Sequence, residues 1–156
     1  MGLSGFQVIS NTGGLSANDD SPQVALGSLM QDNAGNIYRY VKAVDLDLAA
    51  GDVVEYASTS QFDVTKDRAG GSSIGRKVAG VAQSAISVNN YGWILVSGIS
   101  SAVTTDGGVT AADFLVPHAT ADGQADTMAA GLEHQAFGFA LATDVGSTTQ
   151  AVVNCL

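Results

Sequence analysis

The sequence is poor in charged residues, and its few basic residues are confined to the middle of the chain. Asp, Glu, Lys and Arg make up 13% of the 156 residues, about half the usual share of a soluble domain. All six Lys and Arg residues lie between positions 39 and 77, and the net charge is −9. Nucleic-acid binding needs clustered Lys and Arg to neutralise phosphates. We therefore expect no nucleic-acid partner.

The chain also has little cysteine and no long apolar run. Cys155 is the one cysteine, so no internal disulfide can form and packing must hold the fold. An unpaired thiol suits the reducing cytoplasm. The longest run of bulky apolar residues, 93–96, is far shorter than the roughly 18 residues of a membrane span. We therefore expect no membrane partner. We also expect a single domain, since a chain of this length supplies one ordinary core.

Apolar residues alternate with a period of two along much of the chain, which predicts strands. The stretch 36–44 follows turn residues at 32–35, and 26–31 would be its hairpin partner. Further strands are predicted at 52–56, 77–88, 91–98, 114–118, 136–143 and 150–154. A spacing of about ten residues is typical of sandwiches and barrels. We predict an all-β protein, a small antiparallel β-sandwich or β-barrel-like domain over 15–156 with an extended N-terminal arm over 1–14.

Two stretches resemble each other and predict an internal duplication of 48–98 and 109–154. LAAGDVVEY at the start of the first matches VTAADFLVP at the start of the second, in small residues, Asp and three following apolar positions. VAGVA (78–82) matches AFGFA (136–140), so the two offsets, 61 and 58, are close. A repeated unit of turn, strand and hairpin accounts for this pattern. Chance similarity between hairpins rich in Gly, Ala and Val accounts for it equally well.

The strand that begins at Tyr91 is apolar on both faces. Tyr91, Trp93 and Leu95 would line one face, and Ile94 and Val96 the other. Strands of small antiparallel sheets normally keep one polar face. We therefore expect a second sheet to cover one face, and another copy of the chain or a partner to cover the other. A central strand buried wholly within one subunit is the competing interpretation.

Residues that could carry catalysis or hold a metal occur in patterns that loops explain better. Gly71–Gly75 matches Gly-x-Ser-x-Gly, but Ser73 lacks the strand before it and the helix after it that a hydrolase needs. His118 and His134 stand 16 residues apart with no cysteine nearby, which is not a zinc pattern. We predict a protein that is not an enzyme and has no cofactor and no metal site.

The segment Val78–Gly98, VAGVAQSAISVNNYGWILVSG, resembles the small decoration or cement proteins of tailed bacteriophages. NIYRYVKA and LAAGDVV before it, and FGFALA after it, extend the resemblance from about residue 26 to the carboxyl terminus. The resemblance implies a β-rich protein, made in the host cytoplasm, that assembles as a trimer on the outer surface of the virion capsid. There it would bind the major capsid protein and stabilise the expanded shell. It implies no catalytic residues.

Decoration proteins commonly use an N-terminal arm, and the uncharged segment Met1–Gly14 fits this description. Its apolar residues would bury against the capsid, and basic residues from the middle of the chain would meet an acidic capsid surface. Balance of neighbouring acids within the chain is the alternative role for these basic residues. The candidate capsid or subunit contacts are Phe6, Val8, Ile9, Arg39, Lys42, Arg76, Lys77, Tyr91 and Trp93.

The sequence leaves other functions open. One is a different assembly role in the virion, such as the base of a head fibre. Another is a carbohydrate-binding or other ligand-binding β-sandwich of a virion or cell surface, in which Tyr91 and Trp93 would stack on sugar. The third is an enzyme that uses Ser73.

Overall fold

The computed structural model describes residues 14–57, 62–68 and 77–156. Within these ranges the chain forms ten strands and two single turns of 3-10 helix, Gly14–Ser16 and Glu133–Gln135, which confirms the all-β class. The strands are β1 (Leu29–Gln31), β2 (Ile37–Ala43), β3 (Val53–Tyr56), β4 (Asp63–Thr65), β5 (Val78–Ala82), β6 (Tyr91–Thr104), β7 (Phe114–Pro117), β8 (Ala125–Thr127), β9 (Gly138–Ala140) and β10 (Thr148–Asn154). The described residues include no helix long and apolar enough to cross a membrane.

Two predicted features fall outside the described residues. One is the N-terminal arm apart from Gly14, that is Met1–Gly13 with the predicted contacts Phe6, Val8 and Ile9. The other is the Gly-x-Ser-x-Gly loop, Gly71–Gly75 with Ser73, together with the basic residue Arg76 that follows it.

Five strands close into a barrel, as the barrel-like prediction requires. β2 pairs with β4, β4 with β3, β3 with β5, and β5 with β6, and β6 returns to β2. The predicted hairpin is also present, because β1 pairs antiparallel with β2 across the turn at 32–35. The β2–β4 pair, with Lys42 opposite Asp63, is parallel. The antiparallel prediction is wrong at this pair. The other four pairs of the barrel are antiparallel, so in a closed ring of five strands the remaining pair must be parallel.

The long strand β6 joins the barrel to a second group of strands. Its register against β2 shifts near Ser97, after which it pairs with β10, and the sheet continues through β9 and β7 to β8. Gly98 lies at this shift with a φ of 127°, and a Cβ atom there would lie 2.2 Å from Oδ1 of Asn36. Glycine is therefore required at this bend. We call the second half of β6 together with β10, β9, β7 and β8 the C-terminal sheet.

Two apolar clusters hold these parts together. One fills the barrel and includes Ile94 and Val96, and the other lies between the barrel and the C-terminal sheet and includes Trp93 and Leu95. The first half of β6 is thus buried on both faces within a single chain. The expectation that an outside partner covers one face of this strand is wrong, and the competing interpretation, a central strand, is confirmed.

The two stretches that predict a duplication share a detailed local geometry. Gly51 and Ala112 both have positive φ angles, 92° and 74°. The carboxylates of Asp52 and Asp113 each accept the backbone N–H of the residue three positions earlier, both at 2.8 Å. β3 then pairs with β5 as β7 pairs with β9, with Val53 opposite Val81 in the first stretch and Phe114 opposite Phe139 in the second. These pairs keep the offsets of 61 and 58, although the duplication itself stays a prediction.

Candidate contact surface

A row of apolar side chains crosses the outer face of the C-terminal sheet. Ile99 on β6 lies opposite Val152 on β10, Val152 lies opposite Phe139 on β9, and Phe139 lies opposite Phe114 on β7. Directly opposed residues share a face of the sheet, with Cβ atoms about 5 Å apart. The four side chains therefore form one continuous row, which we call the apolar stripe.

The apolar stripe is open to solvent in the single chain. Phe114 is 55% exposed, Ile99 51% and Phe139 38%, whereas Val152 is half-buried. The opposite face of the same strands packs against the barrel through Leu115, Ala140, Ala151 and Val153. A sheet with one buried face normally has a polar outer face. A contiguous exposed apolar row on such a face marks an interaction surface.

The stripe lies in a part of the chain that has no basic residue. The strands β6, β7, β9 and β10 contain no charged residue, and residues 78–156 contain six acids but no Lys or Arg. A shallow groove of about 260 Å³ follows the stripe between Phe114 and Asn154. The surface is thus an uncharged apolar strip set in an acidic half of the protein.

The two predicted aromatic contacts lie elsewhere. Trp93 is fully buried, with its ring tilted against Tyr40 at a centroid distance of 5.0 Å. Tyr91 is half-buried, and its ring stacks on that of Tyr40 at a centroid distance of 6.3 Å. The predicted contact role of Trp93 is therefore corrected, because its side chain lies in the core of the chain and not at a subunit or capsid interface. Burial also removes it from any sugar-stacking surface.

The basic residues of the barrel divide into two groups. Lys66 and Arg68 are paired within the chain, Lys66 with Asp52 at 2.8 Å and Arg68 with Glu55, so balance of neighbouring acids is their role. Arg39, a predicted contact, is also engaged. Its guanidinium donates a hydrogen bond to the Tyr56 hydroxyl and lies 5.5 Å from the centroid of the Phe62 ring.

Two predicted basic contacts remain open to a partner. Lys42 is half-buried on β2, and Lys77 is exposed just before β5. Lys77 lies at the edge of a cleft of about 290 Å³ that His134, Asn154 and Leu156 also line. This cleft shares Asn154 with the groove along the apolar stripe, so a cation lies close to one end of the stripe.

One cluster of metal-ligand side chains is present among the described residues, at Asp106, His118 and Asp126. Its hydrogen bonds do not suit a metal. Nδ1 of His118 accepts the backbone N–H groups of Thr120 and Ala121, at 3.1 and 2.8 Å, so Nδ1 is unprotonated. The nitrogen left to carry a proton is Nε2, the atom that lies 3.6 Å from a carboxylate oxygen of Asp106. A metal-binding histidine instead donates a proton from its second ring nitrogen.

The apolar stripe could not be predicted from the sequence, because alternation alone does not tell which face of a strand is buried. In β9 and β10 the small residues Ala140 and Ala151 face the core, while the larger Phe139 and Val152 face solvent. Residue size would favour the reverse assignment. The offset of 58 matches Phe139 with Val81, but Val81 is buried, so this match does not indicate that the face at Phe139 is exposed.

Comparisons with known proteins are informative about the fold. No protein family and no curated protein sequence matches this chain. Among solved structures, the chain is similar to the N base of the head fiber gp8.5 of bacteriophage phi29, with a TM-score of 0.52 and 13% sequence identity. The similarity covers 76% of this chain and 94% of the phage domain. At this identity the similarity establishes a shared fold.

Proposed function

We propose that the protein is a structural component of a phage virion, bound to the outer surface of the capsid as a trimer that stabilises the expanded shell. The observation that carries the proposal is the shared fold with the base domain of a phage head fiber. The exposed apolar stripe supports it, because an assembly protein works through such surfaces. The resemblance of Val78–Gly98 to phage decoration proteins points to the same setting.

The mechanism would be contact energy summed over several sites. A single interface of roughly 800 Å² per partner is often weak, but a trimer that engages three sites at once gains from effective concentration. Binding that favours the expanded shell over its other forms stabilises that state by linkage. On the capsid side we propose the arm residues Phe6, Val8 and Ile9 together with Lys42 and Lys77.

The base of a head fibre is a second candidate function, and the named structural neighbour favours it specifically. Both functions place the protein on the capsid, and they differ in their effect on the head. A cement protein raises the stability of the head, whereas a fibre base carries a projecting appendage. A carbohydrate-binding module has less support, because Trp93 is fully buried and offers no face to a sugar.

The first experiment is protein identification in purified virions of the phage whose genome carries this gene. Trypsin cannot cut within residues 78–156, which contain no Lys or Arg, so chymotrypsin should be used. We expect peptides of this protein at a copy number comparable to that of the capsid protein. Absence from washed virions would refute the proposal.

The second experiment separates cement from fibre base and tests the capsid contacts. Heads from a phage with the gene deleted should release DNA at a lower temperature than heads with it if the protein is a cement. Unchanged release, with an appendage missing from the heads, would favour the fibre base.

Binding to heads that lack the protein should also be measured at about 50 and 500 mM salt, which shortens the Debye length roughly threefold. Loss of affinity with salt would support Lys42 and Lys77, and Lys42→Gln should reduce that dependence. Weaker binding at both salts for a chain that starts at Leu15 would support the arm. Binding by the shortened chain that matches the full chain would refute the arm.

A further inference from the structure

We infer that the apolar stripe is the surface on which a second copy of this chain docks. The inference deepens the proposed function, because it rests on the proposed homo-oligomer and names the face that forms it. Three observations carry it: the equivalent face in the repeated local structure is covered, the stripe carries no charge, and its size suits an interface between subunits.

The strands β3, β5 and β6 carry a row of apolar residues that corresponds to the stripe. In the barrel, Val53 lies opposite Val81, and Val81 lies opposite Leu95. In the C-terminal sheet, Phe114 lies opposite Phe139, and Phe139 opposite Val152, so each barrel residue has a counterpart in the stripe.

These two equivalent rows differ in what covers them. Val81 and Leu95 are completely buried, and Val53 is 3% exposed, because the inner face of the C-terminal sheet packs on them through residues such as Leu115 and Ala151. The stripe presents the same kind of apolar row with no such layer above it among the described residues. The repeated architecture thus provides one covered and one open copy of the same face.

The charge distribution favours the stripe as the place where two copies of the chain meet. The chain has a net charge of −9, so two copies repel each other over most of their surfaces. The four strands that carry the stripe have no charged residue, and two copies can meet there with little desolvation of charge.

The exposed apolar area of the stripe and its neighbour Leu141 suits an interface between subunits. The exposed fractions of Ile99, Phe114 and Phe139, with that of the neighbouring Leu141 at 40%, amount to roughly 350 Å² if a large side chain offers about 200 Å². A standard interface buries about 800 Å² per partner, of which about 60% is apolar. The stripe together with Leu141 supplies most of that apolar share, and the uncharged polar residues beside it supply the rim.

The test is sedimentation equilibrium of the full chain and of single variants. The parent should associate at micromolar concentration, towards three times the chain mass of 15.7 kDa. Phe114→Glu places a charge on the most exposed stripe residue and should raise the dissociation constant about 30-fold or more, as for an interface hot spot. Val88→Glu is the matched control, because Val88 is 39% exposed in the turn before β6. It should change the constant less than about threefold.

A second variant guards against misfolding. Ile99→Thr keeps a β-branched residue in the strand and removes apolar area from the stripe, so it should raise the dissociation constant about fivefold while far-UV circular dichroism stays that of the parent. If Phe114→Glu loses its fold, this variant decides the question.

The outcomes separate this inference from the proposed function. A parent that stays monomeric at high concentration would overturn both the inference and the homo-oligomer of the proposed function. A parent that associates, with both stripe variants associating equally well, would overturn the inference alone. Stripe variants that associate normally but lose binding to phage heads would show that the capsid is the occupant. A chain starting at Leu15 that associates more tightly than the full chain would show that residues 1–14 cover the stripe instead.

Discussion

A buried ion pair should contribute strongly to the stability of the fold. Arg68 and Glu55 form a salt bridge in which their side chains are only 5% and 3% exposed. Nε of Arg68 also donates to the carbonyl of His118 at 2.7 Å, and its backbone N–H donates to Asp122 at 2.7 Å. One residue of the barrel segment thereby holds the loop between β7 and β8.

Replacement of Arg68 by Met should leave the Glu55 carboxylate without its cation in a buried site. Loss of one partner of a buried pair costs about 3 to 5 kcal/mol of unfolding free energy. For a chain of this size that corresponds to a fall in Tm of about 6 to 20 °C. Lys66→Met is the matched control, because its pair with Asp52 is more exposed, with side chains 20% and 8% exposed. The Asp52 carboxylate also keeps the backbone N–H of Ala49 as a hydrogen-bond donor, so this change should cost less than the change at Arg68.

Urea unfolding followed by Trp93 fluorescence measures both variants at one fixed protein concentration. The double variant Arg68→Met with Glu55→Leu should recover much of the lost stability, since an apolar pair avoids the stranded charge. The reasoning fails if Arg68→Met costs no more than Lys66→Met, or if the double variant is as unstable as the two single changes added together.

Three further predictions concern other parts of the structure. Trp93→Ala should cost about 3 to 5 kcal/mol because the ring is fully buried, whereas Trp93→Phe should cost less than half of that, and circular dichroism during urea unfolding measures both. Burial raises the pKa of the Cys155 thiol to about 12 from its ordinary 9.0, so alkylation by iodoacetamide at pH 8 should be roughly a thousandfold slower in the folded protein than in urea. Burial raises the pKa of Asp32, but hydrogen bonds from Asn36, Tyr38 and Ala34 outweigh burial and lower it overall. Its stabilisation is therefore complete above the unfolded pKa near 3.8 and is lost as pH falls through the folded value, so the cost of Asp32→Asn in urea unfolding should be constant above about pH 5 and shrink in stronger acid.

The all-β class and the central strands could be predicted because their residues alternate clearly. The prediction of β2 at 36–44 differs from the observed strand by one residue at each end. The prediction for β6 ended at Gly98, since glycine usually interrupts a strand. In the structure that glycine permits a bend beside Asn36, and the strand continues to Thr104.

Other elements could not be predicted because their strand character comes from their partners. β4 and β8 have three residues each, too few for a periodic pattern, and they form where β2, β3 and β7 offer free backbone groups. The strand predicted at 77–88 ends at Ala82, where β5 leaves the barrel. The apolar stripe was hidden for the same reason, because four separate stretches contribute one residue each.

The positions of charge and apolar surface give the two parts of the molecule different means of association. All the Lys and Arg residues belong to 39–77, and those that the structure describes lie on the barrel and the segments beside it. The C-terminal sheet offers the uncharged stripe. Contacts through Lys42 or Lys77 weaken as salt screens them, whereas burial of Phe114 and Ile99 depends on apolar area and is nearly indifferent to salt. If subunits join through the stripe and the barrel side faces the capsid, salt that releases the protein from heads should leave its oligomer intact. An oligomer that dissociates at the same salt as the capsid complex would mean that both contacts use the barrel charges.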